Sequence, residues 1–351
     1  MAIATVELPD GRTLLATSGD DGTVRLWDPT RGTAVGQPLT GHTGGVWAIT
    51  TVELPDGRTL LSTCSTDATV RLWDPTRGTA VGQPLTGHTG RVWAIAAVGL
   101  PDGRTLLATS GGDATVRLWD PTRGTAVGQP LTSHTDTIWA IATVELPDGH
   151  TLLATGSTDG TVRLWDPTRG TAVGQPLTGH TDTVWAVATV DLPNGNTLLA
   201  TGGYDRTVRL WDPTRGTAVG EPLTGHTGTV GAMTAVELPD GRTLLATGSD
   251  DTTVRLWDPT RGTAVGKPLT GHTGRVETVA AVGLPDGRTL LATGGTDGTV
   301  RLWDPTRGTA VEALHIGQPI RSLCPLFPGK IALRLDEGIA ALTLPAVPDM
   351  D

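Results

Sequence analysis

The chain has only two cysteines, one tyrosine and one phenylalanine in 351 residues. Cys64 and Cys324 make no disulfide framework and stand at no metal-ligand spacing. No apolar stretch approaches the roughly 20 residues of a membrane helix. The opening "MAIATVELPDG" has no basic region leading into an apolar run. A soluble, cytoplasmic protein with no membrane contact, no metal and no other cofactor is the expectation. Basic residues are few as well, 26 against 36 acidic ones, for a net charge of −10. Phosphate backbones are held mostly by Lys and Arg, so nucleic acid is not an expected partner. Helical periodicity is missing throughout.

What the chain does have is repetition. "RLWDPTRGTAV" recurs with Trp at 27, 73, 119, 165, 211, 257 and 303, a step of 46 residues. "LPDGRTLLATG" and "PLTGHT" recur between these copies, so the 48 glycines and 25 prolines are periodic rather than low-complexity. Within a unit every signal is for a strand. "VWAIAAVGLP" (92–101) is β-branched and apolar and runs into a Pro-Asp-Gly turn. "TLLATS" (105–110) is a short apolar run, and "TVRLWD" (115–120) alternates. Pro121 then presets a turn into the next strand, "TAVGQPLT". Four short strands per unit of about 40–50 residues predict the blade of an all-β propeller, in which neighbouring sheets must stack.

The pattern "GHT…VWAI…LPDGRTLLATG…D…TVRLWD" resembles the WD-repeat (WD40) family over nearly the whole chain, in seven units. In six units a His, a Thr, an Asp and a Trp keep fixed register, as in His42, Thr63, Asp67 and Trp73 or His180, Thr201, Asp205 and Trp211. The first unit has Thr17, Asp21 and Trp27 but no His. The resemblance implies a structural hydrogen-bond relay in which Asp and Thr orient His and His meets the indole. Six equivalent copies argue against catalysis, and no G-x-S-x-G nucleophile elbow is present.

The units differ at few places. After Gly-His-Thr come Gly90-Arg91 in one unit and Gly274-Arg275 in another. Five residues beyond the His stand Trp47, Trp93, Trp139 and Trp185, then Gly231 and Glu277. Tyr204 and Arg206 flank the tetrad Asp of the fifth unit. Out of phase with Val and Ala on the innermost strand, the four Trp are expected at the upper opening of the channel. They form either an aromatic crescent that grips a partner or a plug of mutually packed indoles. Arg91, Arg275, Tyr204, Arg206 and Glu277 complete the candidate binding residues; no catalytic residue is assigned.

Regular repeats are expected over 1–314, a degenerate unit over 316–345 and a tail over 346–351, in a single domain of 1–345. In the degenerate unit Asp336 fits the tetrad Asp, Ala332 takes the Thr position and Leu342 the Trp position, while His315 is out of register. Two closures follow. Eight blades, the last without an outer strand, are favoured, because seven would strand residues 1–32 as an open apolar sheet. In the seven-bladed ring, from about 46 to 345, strand 33–40 would close the last blade. An outer strand missing at the ends could also be supplied by another molecule, giving an oligomer.

The leading expectation is a non-catalytic scaffold for a protein or peptide partner. The repeats resemble the propellers of bacterial multidomain signalling proteins, which implies a covalently linked upstream domain in a longer parent. A propeller binding carbohydrate or another small ligand is the alternative. An enzyme would need a cluster that breaks the repeat, and Glu277 reads as the only charged break on an inner strand, without a partner for acid–base work.

Overall fold

The computed structural model describes residues 2–336 and 338–344. Blade 2 shows how a unit folds. Its strands run Val46–Glu53, Thr59–Ser65, Val70–Asp74 and Thr79–Leu85, each antiparallel to the one before. The first turn is tied by Leu54 N–H to Arg58 O (2.8 Å), with Gly57 at φ 80° where a side chain would be strained. At the third turn one oxygen of Asp74 accepts from the N–H groups of Thr76 (2.9 Å) and Arg77 (3.1 Å), which explains the invariance of "DPTRG" among the units.

Among the described residues, seven such four-stranded sheets and one of three strands make eight blades. The favoured eight-bladed closure is thus observed, and strand Thr33–Leu39 pairs with Val24–Asp28 in blade 1 rather than completing a seven-bladed ring. Packing lies between blades. Val52, Leu60, Val70, Leu72 and Leu85 of blade 2 meet Val92, Ile95, Leu107 and Trp119 of blade 3, and equivalents recur around the ring. Each fully buried aliphatic side chain stabilises by about 1.5–3 kcal/mol relative to exposure. Trp73, Trp119, Trp165, Trp211, Trp257 and Trp303 are at most 2% exposed.

Blade 8 consists of Ile320–Pro325, Lys330–Leu335 and Ile339–Thr343. Its register corrects one sequence assignment. Leu333 faces Leu323 as Thr63 faces Ile49, so the Thr position is held by Leu333 and not Ala332. The turn between the second and third strands of this blade is one residue shorter than in blade 2, which moved the alignment by one residue. Leu342 does take the Trp position, pairing Ile331 as Trp73 pairs Leu61. Asp336 does not act as a tetrad carboxylate; it accepts from Arg321 Nε at 2.7 Å. His315 is exposed, opposite Thr299.

Arg334 stands where the other blades carry Cys64, Ser110 or Gly156, and it is buried. From there its Nε donates to Ser18 O of blade 1 at 3.1 Å, while its Nη1 bonds the carbonyls of Leu335 and Gly338. One guanidinium thereby ties the last blade to the first. The expected tail 346–351 lies outside the described residues.

Candidate functional site: relays in the wall and an aromatic arc at the upper mouth

In blade 2 the relay begins at Trp73, whose Nε1–H donates to Thr63 Oγ1 at 2.9 Å. His42 Nε2 lies 2.9 Å from the same oxygen, and His42 Nδ1 lies 2.9 Å from Asp67 Oδ2. Thr63 therefore stands between His and Trp, which corrects the expectation that His meets the indole directly. One proton arrangement satisfies all four groups: indole N–H to hydroxyl, hydroxyl to Nε2, and Nδ1–H to carboxylate. The order recurs in blade 5, where Trp211, Thr201, His180 and Asp205 are linked at 2.8 Å each. The six His side chains are 0 or 1% exposed.

Burial lowers the His42 pKa below 6.5, against the opposing pull of Asp67, and the same holds at His134, His226 and His272. Burial by itself would raise the Asp67 carboxyl. The Thr69 hydroxyl, the Thr43 N–H and His42 outweigh it and bring the group down to about 2. Neutral His beside ionised Asp is the state this proton order requires. With both imidazole nitrogens satisfied inside the wall, these groups hold a blade together.

The upper mouth is built differently. On the innermost strand of blade 2 the pairing jumps from Val46–Ser65 to Ala48–Cys64, which leaves Trp47 as the extra residue of a β-bulge. The same jump isolates Trp93, Trp139, Trp185, Gly231 and Glu277 in the next five blades. A bulge re-aims its residue, and that is how large side chains leave the packed interface for the channel mouth.

Adjacent indoles touch. Ring centroids are 4.9 Å apart for Trp47–Trp93, 4.9 Å for Trp93–Trp139 and 4.7 Å for Trp139–Trp185. Trp185 stacks on Tyr204 at 5.6 Å and 13°, and lies over Gly231. Trp139 Nε1 donates to Thr158 Oγ1 at 2.8 Å, and the Arg91 guanidinium sits 5.7 Å from the Trp93 ring centre. All four indoles are half-buried, and Tyr204 is 44% exposed. The rings pack on one another, and together they present a continuous face. Below them lies a cavity of about 600 Å³ lined by small groups such as Ala97, Thr143, Thr189 and Ala235.

Glu277 lies elsewhere and is not alone. Its carboxylate is 3.7 Å from Arg321, the bulge residue of blade 8, which in turn holds Asp336. Arg321 is a second charged break on an inner strand that the sequence count missed, because the shorter last unit displaces it from the spacing of five beyond a His. Arg275 is exposed and 3.9 Å from Asp250, apart from the ring contacts of the arc. Arg206 is exposed in a left-handed turn (φ 67°) two residues beyond Tyr204. The mouth is thus two-sided, with aromatic rings across blades 2–5 and charges on blades 7 and 8.

Eight radially arranged antiparallel sheets with a relay in the wall define a β-propeller of the WD type. The family model "WD domain, G-beta repeat" matches residues 2–28, 33–74, 79–120, 126–166, 171–212, 217–258 and 263–304. The chain belongs to this WD40 family, whose propellers generally serve as protein-interaction scaffolds. Each full match joins the outer strand of one blade to three strands of the next, so the repeat laces neighbouring blades together. Many solved structures share the fold. One is the crystal structure of the computationally designed Ika8 protein, at 21% identity and a TM-score of 0.75, covering 94% of this chain and 93% of that one. A comparison with curated proteins found no match.

Proposed function

We propose that the chain is a non-catalytic scaffold whose upper mouth docks a protein or peptide on the arc formed by Trp47, Trp93, Trp139, Trp185 and Tyr204. The observation that carries this is the run of contacts from Trp47 to Tyr204, built on bulges that divert large rings out of the core. Aromatic anchors of this kind, flanked by Arg91, suit the centre of a binding interface. Glu277, Arg321 and Asp336 across the mouth would orient a partner by charge, and Arg275, Tyr204 and Arg206 would form its rim. Cytoplasmic residence and an upstream signalling domain, expected from the sequence, belong to the same proposal.

A test is selection of displayed random peptides on the intact protein, run beside a glycan array. Peptides whose binding is lost when the four Trp become Ser support the proposal. Glycan binding with the same dependence would favour the carbohydrate reading instead, since sugars also stack on indoles.

A further inference from the structure

At the end of the channel away from Trp47, the turn from the first strand to the second reads Leu-Pro-Asp-Gly-Arg-Thr in blades 1, 2, 3, 6 and 7. In each of these the Asp carboxylate accepts from its own Arg, as in Asp56–Arg58 at 2.8 Å and Asp102–Arg104 at 2.7 Å. Blades 4 and 5 depart from this side by side. His150 takes the place of the Arg in blade 4, 3.0 Å from Asp148, and blade 5 reads Leu-Pro-Asn-Gly-Asn-Thr over 192–197.

The leucine that opens the turn differs in the same two blades. Leu8, Leu54, Leu100, Leu238 and Leu284 are 5–7% exposed, whereas Leu146 and Leu192 are only half-buried. An arginine stem covers apolar surface with its methylenes, and the shorter His150 and Asn196 leave that surface open. A cavity of about 330 Å³ lies here, with Leu146 and Pro147 on one wall and Leu192, Asn196 and Leu198 on the other. A second cavity, of about 430 Å³, shares Leu146, Pro147 and Thr197 with it and reaches Glu145 and Asp191. Asp191 also lines the cavity of about 600 Å³ in the channel. One groove therefore leads from the channel outward between blades 4 and 5.

The floor of this groove is leucine and its edges carry the carboxylates of Glu145, Asp148 and Asp191. Asp191 Oδ1 accepts from Thr197 Oγ1 at 2.6 Å, and among the described residues neither Asp191 nor Glu145 has an ion-pair partner. Arg215, the cation that lines the groove, is already held by Asp212 at 2.8 Å.

We infer that the groove binds an extended basic peptide, with an arginine stem lying on Leu146 and Leu192 and its guanidinium facing Glu145 and Asp191. Charge complementarity selects this occupant, because it brings both the apolar stem and the positive head that blades 4 and 5 lack. The site lies at the opposite end of the channel from the aromatic arc and does not depend on it.

The test titrates the labelled peptide Gly-Ala-Arg-Ala-Arg-Ala-Gly into the full chain by fluorescence anisotropy, beside a copy with Gln for both Arg. Asn194→Asp together with Asn196→Arg gives blade 5 the turn of blade 2 at unchanged net charge, which separates the groove from general attraction to an acidic protein. Asp191→Asn leaves the turn untouched. The double variant should weaken binding about tenfold, as should the Gln copy, and Asp191→Asn should weaken it severalfold. Amide exchange should slow over 146–150 and 192–198, and the variant with the four Trp of the arc changed to Ser should bind as the wild type does. No binding at millimolar peptide in low salt would overturn the inference. So would equal affinity of the Arg and Gln peptides, or full affinity in both groove variants. Loss confined to the fourfold Trp variant would overturn it as well, since the peptide would then sit on the arc.

Discussion

Trp73 donates its indole hydrogen to the hydroxyl of Thr63 at 2.9 Å, and His42 reaches the same oxygen from the other side. The threonine is thus the junction of the relay. It joins the third strand, through Trp73, to the loop that enters the blade, through His42. Charge stays at Asp67, where backbone and hydroxyl donors hold it.

Removing one imidazole should therefore loosen one blade. His180→Ala deletes contacts to Asp205 and Thr201, both at 2.8 Å, and leaves a shielded carboxylate with fewer donors. The expected cost is about 1–3 kcal/mol, seen as a melting temperature lower by a few degrees with unchanged far-ultraviolet circular dichroism. Partner capture should survive.

Acid should weaken the ring in two stages. Folded His42, His134, His226 and His272 titrate below the ordinary 6.5, so near that pH the unfolded chain binds more protons and stability falls as pH drops from about 6.5. A protonated Nε2 would also turn its hydrogen toward Thr63 Oγ1, which already accepts from Trp73. Asp67, Asp159, Asp251 and Asp297, held at about 2, contribute stability above 3.8 that is lost as pH falls toward 2. Urea midpoints measured downward from pH 8 should decline once the pH nears 6.5 and again as it falls from 3.8 toward 2, and a rise between pH 7 and 5 would contradict this.

Ring closure should depend on one guanidinium. Arg334→Met keeps the apolar stem but removes the donors to Ser18, Leu335 and Gly338. A loss of about 1–3 kcal/mol for each carbonyl left unpaired is the scale expected. Amide exchange should accelerate in blades 1 and 8 before the rest of the ring.

Contact between the indoles should be visible spectroscopically. Trp139 touches Trp93 at 4.9 Å and Trp185 at 4.7 Å, so Trp139→Ser divides the arc. The exciton-coupled band in circular dichroism should shrink by more than the loss of one of eleven indoles. Thermal stability should change little, because each ring pair adds only about 0.5–1.5 kcal/mol and the site is half-exposed.

Strand-forming runs and the 46-residue step made the propeller legible in the sequence, down to its eight blades. The tetrad membership was legible too, since His42, Thr63, Asp67 and Trp73 keep their spacing in six copies. Which groups touch was not, because it depends on where two side chains meet across strands. The bulge that re-aims Trp47 leaves no local mark either: Val46 and Ala48 would fit an unbroken ladder equally well. In the last unit, where the repeat degenerates, spacing stopped being a guide, and Leu333 and Arg321 appeared only once the strands were paired.

The central claim is that the relays hold the wall and the arc binds. It is tested most directly by crosslinked capture from native lysate with three folded proteins in parallel. These are the wild type, the variant with Trp47, Trp93, Trp139 and Trp185 all changed to Ser, and His180→Ala. The expected result is a captured protein that the fourfold variant loses and His180→Ala retains. Capture that is undiminished in the fourfold variant, or that His180→Ala abolishes without lowering the melting temperature, would contradict it.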